Sequence, residues 1–454
     1  MKEIVKEVIR DPMILLLVMG AGLTFFLLAF EYATFGKRPK YLEKALTFLI
    51  FFVSSYPQIF PFKLFHLYDL TKHTIGTQAI LMRVIPYSFS VFVLKNRYSD
   101  FLQSTLLLFL DPFLGTFLLI GCLSFFWSET PDLTLRNSFI LLLLSAIAAH
   151  IGKRFTWSEI CHFLRLSNAL TAILSFFYAI AIPSVGVSGK GWKGILKHGN
   201  PLGALMALTT VILILYVYDK PKERWMYLVV ALISLINLQK TNSAGSKVVL
   251  VVLISELIFL KFIKNLNFKL ALSAVAIFLA VSIALGILVI ENRETIIVDI
   301  LGKDMELNGR IPLWTRLMGG IAAQPIFGYG VSGFWQHWRE AENPAAPFAT
   351  NDFGWVAHHA HNGFLDVLLD FGLVGGLFFL ISFFKNIAIS VLFMIRGKDS
   401  DAIVPLLILT FIIMTNISQS DLVGIQHLWF YYVILTVRVT LDVTGKNVSG
   451  YKSS

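Results

Sequence analysis

The chain has 454 residues, of which 56% are hydrophobic and 15% charged, with a formal net charge of +10. Soluble domains hold about 45–50% apolar and about 25% charged residues, so this balance excludes an ordinary soluble globular protein. The excess of Lys and Arg is that of basic cytoplasmic loops in a membrane protein; no basic run is long enough for a nucleic-acid-binding arm.

Continuous apolar blocks run at about 13–30, 44–60, 77–94, 104–126, 134–151, 161–182, 200–218, 225–239, 247–264, 268–290, 371–395, 402–418 and 424–438. Many approach the roughly 20 residues a membrane helix needs. They lack the alternation of barrel strands, so the spacing predicts an all-α polytopic membrane protein of about twelve transmembrane helices. Arg83 interrupts the third block, and Pro57 and Pro61 break the end of the second. No A-x-A cleavage site follows the first block, which reads as an uncleaved span. Cys122 and Cys161 each lie inside an apolar block and read as packing residues.

Basic loops orient the bundle. The short loops with Lys153–Arg154, with Lys220, Lys222 and Arg224, and with Lys261, Lys264 and Lys269, and then Arg396, Lys398 and the basic C-terminus, fall on one side. That side is expected to be cytoplasmic. The other side then holds 127–133, 184–199, 240–246 and the long polar stretch 291–360. A loop of about 70 residues is expected to be functional. Within it, Leu313, Leu317 and Ile321 share a helical face, with Asn308 and Pro312 suited to the helix start. The expected division is therefore transmembrane helices over 1–290, an extracytoplasmic loop subdomain of short helices over 291–360, C-terminal spans over 361–441 and a disordered tail over 442–454.

GYGVSG (328–333) matches G-x-G-x-x-G, but nothing around it forms the βαβ unit that a dinucleotide site needs. A potassium-filter reading of the GYG triplet conflicts with the long polar loop and Arg310. A tight turn using glycine at positive φ is the plain reading.

Three basic positions lie on the predicted outer side: Lys197 in KHGNPLG (197–203), Lys247 in TNSAGSK (241–247) and Arg310 in LNGRIPLW (307–314). Cations at a membrane edge hold phosphates or snorkel to lipid head groups, and singly each site fits both. Ser243, Gly245 and Ser246 give a ligand room beside Lys247. HHAHNGFLD (358–366) gathers His358, His359 and His361 before Asn362. Imidazoles serve as bases near neutral pH. H-H-x-H is a poor metal spacing, and a surface cluster without a role is the third alternative.

Taken in order, KHGNPLG, NSAGSK, NGRIPLW with QPIFGYGVSGFW, and AHNGFLDVLLDFGLVGG resemble the O-antigen ligase and polymerase superfamily of bacterial membrane proteins. FWSETPDLTLR (126–136) and NISQSDL (416–422) look like further signatures. Ser246-Lys247 and the glycine-rich turn before FW look like exopolysaccharide polymerases of the succinoglycan type, whereas ligases carry Ser-Arg at that place.

The resemblance implies a glycosyltransferase with a fold like the metal-independent C-type enzymes. It implies transfer of glycan from an undecaprenyl-diphosphate carrier at the outer face of the bacterial inner membrane. The acceptor is lipid A–core for ligases or another lipid-linked repeat for polymerases, and a chain-length regulator protein is a further implied partner. By motif match, Arg310 clasps the diphosphate, Lys247 replaces the second family arginine and His361 assists the acceptor hydroxyl. Lys197 is expected to add to the diphosphate site. Asn362, His359, Ser246, Asn200 and Trp335 are expected at substrate. No nucleotide, other cofactor or metal is implied, because the carrier already activates the sugar. Trp335, Trp338, Trp355 and Phe334 offer faces to sugar rings, or else form an interfacial belt or loop core. The rival class is a transporter or flippase of lipid-linked saccharides, which is expected to carry charges deep in central spans.

Overall fold

A computed structural model describes residues 39–54, 101–264, 309–350, 356–397, 399–424 and 427–445, with isolated positions at 266, 270 and 273. The expected spans at 13–30, 77–94 and nearly all of 268–290 lie outside the described residues, as do Asn308 and Trp355.

The described chain is helical. In order come α1 (Pro39–Ser54), α2 (Pro112–Leu123), α3 (Pro131–Arg154), α4 (Trp157–Ala181), α5 (Gly199–Asp219), α6 (Arg224–Lys240) and α7 (Ala244–Lys264). After the loop come α8 (Arg310–Ala323), α9 (Gly363–Arg396), α10 (Val404–Asn416) and α11 (His427–Thr444). The all-α expectation needs one amendment. Val187–Ser188 and Gly191–Trp192 pair as a minimal antiparallel hairpin between α4 and α5.

The molecule is a multi-pass membrane protein. Among the described residues four helices are long and apolar enough to span (α3, α4, α5 to Val217 and α9), and a fifth span arises if the segment Phe101–Leu110 and α2, bent by 109°, count as one. α7 has 21 residues but carries Lys247, Glu256, Lys261 and Lys264, and α10 has only 13 residues.

α5 is the central post. Leu202, Leu205, Leu208, Val211 and Leu215 are almost wholly buried, and α6, α7, α4 and α10 pack around it. Its buried Thr209 and Thr210 hydroxyls donate to the carbonyls of Leu205 and Met206 one turn earlier, which leaves no polar group exposed to an apolar neighbour. Asp111 is also buried. It caps α2 through the Phe113 and Leu114 amides and accepts from Ser382 Oγ at 2.7 Å, while Lys385 Nζ lies 3.4 Å away. A charge in a span stays there only when paired and hydrogen-bonded, and this one ties α2 to α9.

Three helices end in basic residues at one end of the bundle. α3 ends in Lys153 and Arg154, α7 in Lys261 and Lys264, and α9 in Arg396. These ends interlock: Arg154 pairs with Glu43 at 3.0 Å, Lys264 Nζ donates to the Asp399 carbonyl and Trp157 Nε1 to the Asp401 carbonyl. The opposite end collects the starts of α3, α5, α7 and α9 and the end of α10.

Over that second end, residues 309–350 and 356–361 form a layer with its own core of Leu313, Leu317, Ile321, Phe334, Ala349 and Ala357, resting on Leu369 of α9. The three residues expected to share a helical face, Leu313, Leu317 and Ile321, are all buried. The layer is joined to the bundle at a break in α9. Gly372 has φ +66°, which interrupts the helix. The stranded carbonyls of Leu369 and Asp370 accept from the amides of Tyr329 and Gly330 at 2.8 and 2.9 Å. The stranded amides of Leu373 and Val374 donate to the carbonyls of Pro325 and Ile326 at 2.8 and 3.1 Å. A broken membrane helix persists only where such groups find partners. The GYG turn is therefore a splint, with Gly328 and Gly330 at φ +66° and +89°.

A Cβ on Gly372 meets the Ile326 carbonyl at 2.3 Å, and one on Gly328 meets the Leu369 carbonyl at 2.4 Å. The left-handed backbone alone costs a side chain about 1–2 kcal/mol. Gly372→Ala and Gly328→Ala are each expected to lower the apparent melting temperature in detergent by several degrees. Gly245→Ala, whose Cβ meets only Ser418 Oγ at 3.7 Å, is expected to melt like the parent; equal melting of all three variants contradicts the splint.

Candidate active site

The site is assembled around Ala360, between His359 and His361. Ala360 is fully buried. Its carbonyl accepts from Trp314 Nε1 at 2.8 Å, and its amide donates to Asp366 Oδ1 at 3.2 Å. Trp314 lies one turn after Arg310 on α8, on the same face. The helix that carries the arginine thus also grips the histidine turn. Asp366 lies in the first turn of α9 and accepts in addition from Trp335 Nε1 at 2.8 Å. Ser420, just after α10, accepts from the Asn362 amide at 3.2 Å. Bonds to a charged group are each worth about 1.5–3 kcal/mol, so one carboxyl fastens the loop and the histidine turn to α9.

Asn362 is the N-cap of α9; its Oδ1 accepts from the Phe364 and Leu365 amides at 3.0 and 3.2 Å. The cap sets the chain direction just after His361, whose φ is +52°. A non-glycine residue in that region is strained, and such strain clusters at functional sites. The ring centroids of His359 and His361 are 4.0 Å apart and the His361 amide donates to His359 Nδ1, which makes that nitrogen the unprotonated one.

His359 and His361 line a cavity of about 560 Å³ together with Arg310, Lys197, His198 and Asn200. The hairpin and the α10 end supply Lys190 and Ser418 to Asp421. Arg310 is half-buried, and burial pulls its pKa below the usual guanidinium range. Among the described residues no carboxylate pairs with it. Burial, reinforced by His361 and the nearby cations, lowers His359 to about 3. Burial and Arg310 lower His361 to about 4. Both imidazoles are therefore neutral at neutral pH. An anion bound between Arg310 and Lys197 offsets the cationic field and raises the His361 proton affinity again.

Of the residues singled out from sequence, Arg310, Lys197, Asn200, His359 and His361 share this cavity. Trp335 lines a neighbouring one. Ser246 is buried and bonds the Asn200 carbonyl at 3.3 Å and Ser243 Oγ at 2.8 Å. Lys247 is exposed, next to that contact, and is not among the lining residues. Asn362 uses its side-chain oxygen for capping, and exposed His358 stacks edge-on against His337 at 4.3 Å. Among the described residues no group of three or more His, Cys, Asp or Glu is arranged to hold a metal.

Sequence reasoning missed Asp366, Ser420 and Trp314 as organisers and Lys190 as a cavity cation. Two signals were present. Asp366 and Asp370 recur at helical spacing directly after the histidines, and NISQSDL stood out without a role.

Residues 228–380, which hold Lys247, Arg310 and His361, match the family described as Wzy_C, O-antigen ligase. The chain is also similar to "Exopolysaccharide production protein ExoQ" of Rhizobium meliloti (strain 1021), 23% identical over 269 residues, 57% of this chain. That alignment spans 60% of the relative's length. Both findings support the O-antigen ligase and polymerase superfamily to which the motifs point.

The histidine values carry a sign. Both folded values lie below the ordinary 6.5, so the unfolded chain binds more protons between about 6.5 and 4, and stability falls as pH drops through that window. Histidine-labelled protein followed by NMR is expected to show His361 titrating near 4. Arg310→Gln is expected to move that midpoint up towards 6.5, with burial retaining part of the depression. A parent midpoint between 6 and 7 contradicts the geometry.

Proposed function

We propose that the protein is a glycosyltransferase that polymerises or ligates surface polysaccharide from an undecaprenyl-diphosphate-linked donor. The observation that carries this reading is one cavity in which Arg310 and Lys197 share walls with His361, at the end of the bundle opposite Arg154, Lys264 and Arg396. Basic loops mark the cytoplasmic side. The cavity then opens on the outer face of the bacterial inner membrane, where lipid-linked glycans are presented.

In the proposed reaction the diphosphate lies against Arg310 and Lys197, with Lys247 flanking the entrance. The acceptor hydroxyl attacks C1 of the donor sugar. Its oxygen bonds to C1 as the C1–O bond to phosphate breaks, and the electron pair leaves with the diphosphate. Negative charge grows on that leaving group, so fixed cations favour the transition state over the ground state. Neutral His361 takes the hydroxyl proton. It is a weak base alone, and the bound anion strengthens it at the moment of need. No metal or nucleotide takes part in this scheme. Asn200 and His359 are assigned to sugar contacts, Asn362 and Ser246 to positioning.

The same reading extends the architecture to about twelve spans in a C-type glycosyltransferase arrangement. Residues 1–290 and 361–441 form the membrane part, 291–360 the periplasmic subdomain and 442–454 a tail. The acceptor is a second lipid-linked repeat for a polymerase or lipid A–core for a ligase. The similarity to an exopolysaccharide production protein favours the polymerase.

Purified protein given lipid-linked donor is expected to release undecaprenyl diphosphate only when acceptor is present. His361→Ala and Arg310→Ala are each expected to reduce turnover by about 10²-fold or more with circular dichroism unchanged. Full turnover by both variants contradicts the assigned roles. Movement of donor across vesicles without diphosphate release supports a flippase instead.

A further inference from the structure

A second cavity, of about 460 Å³, lies between α3, α9 and the outer loop. It is lined by Arg136, Asn137, Trp335, Trp338, Asp366 and Asp370 among others, and it shares only His359 and Ser420 with the cationic cavity. Its size falls within the about 300–1,000 Å³ typical of ligand sites.

Resting on the function proposed above, we infer that this second cavity binds the acceptor saccharide and delivers its hydroxyl to the shared wall at His359. Four observations support the assignment. First, the lining sets polar groups among apolar side chains such as Leu133, Val331 and Phe371, which matches a sugar with hydroxyls and an apolar face. Asp366 and Asp370 stand one helical turn apart on α9, on one face. Carboxyl groups exchange hydrogen bonds with sugar hydroxyls.

Second, Asp370 has capacity to spare. Its Oδ2 accepts from the Ser332 amide at 3.0 Å, whereas Oδ1 is buried without a hydrogen-bond partner. A buried orphan oxygen costs about 1–3 kcal/mol, more when charged, and a ligand hydroxyl relieves it. Third, Trp335 and Trp338 offer ring faces to the apolar face of a sugar. Trp335 is held in place through Asp366, while Trp338 is 42% exposed.

Fourth, the connection has the direction the chemistry needs. A single inverting displacement at C1, the course taken in the reaction proposed above, places nucleophile and leaving group on opposite faces of that carbon. The cations that hold the leaving group line one cavity, so the nucleophile enters from the other. His359 and Ser420 stand at the junction, and His361 lies against His359.

The test uses full-length protein in detergent and, as probe, a soluble oligosaccharide obtained by partial hydrolysis of the host's own surface polysaccharide, free of lipid and phosphate. Binding is read by saturation-transfer NMR, and binding of undecaprenyl diphosphate is measured in parallel. Asp370→Asn and Trp338→Ala are expected to weaken oligosaccharide binding at least tenfold and to leave diphosphate binding unchanged. Arg310→Ala is expected to show the reverse pattern. In turnover, Asp370→Asn is expected to raise the acceptor KM at least tenfold while the donor KM holds.

Unchanged oligosaccharide binding in both cavity variants overturns the subsite even where transfer proceeds. A rise in donor KM alone overturns it too, by assigning the cavity to donor glycan. Absence of any transfer, with oligosaccharide binding still lost in the two cavity variants, tells against the proposed reaction and leaves the saccharide site standing. Circular dichroism and gel filtration of each variant exclude loss of fold as the cause.

Discussion

A backbone amide or carbonyl inside an apolar bundle must find a partner, and the break in α9 at Gly372 is where that constraint organises the molecule. Four stranded groups are satisfied by one turn, residues 325–330. In water each such bond is worth about 0.5–1.5 kcal/mol net, while an unmade one costs about 1–3 kcal/mol. The bundle therefore cannot keep its broken helix without the loop, and the loop cannot drift from the helix. Everything functional is built on that joint: Asp366 and Asp370 lie just before it, and Ser332 and Trp335 just after the splint.

The second level of order is the clamp on Ala360. A tryptophan from α8 and a carboxyl from α9 hold its carbonyl and its amide, which leaves its flanking histidines little freedom. His361 is kept in a strained conformation by the capping of Asn362 on one side and this clamp on the other. Because Arg310 begins the helix that carries Trp314, the cation and the imidazole are set by the same pair of contacts. Precise mutual placement of groups is what converts ordinary side chains into a catalytic arrangement.

The two cavities differ in lining. One gathers Lys190, Lys197 and Arg310 with Asp421. The other holds Arg136, two carboxyl groups and a pair of indoles. Burial first, and the cationic field second, keep His359 and His361 neutral beside these walls.

The helical membrane architecture and the amphipathic face of Leu313, Leu317 and Ile321 were legible in the residues, whereas the grouping of Arg310 with His361 was implied only by the family resemblance. Hydropathy and helical periodicity are local properties, and positive charge records which side a loop occupies, so these needed no coordinates. Family motifs added which cations and which histidine to compare. What tertiary structure alone decided depends on contacts between segments far apart in the chain. GYGVSG is a splint only because a helix breaks beside it, Ser246 is a packing residue only because Asn200 lies against it, and Asp366 is an organiser only because Trp335 and Ala360 converge on it. A side chain's type states what it can bond to; only the folded chain determines which partner is within 3 Å.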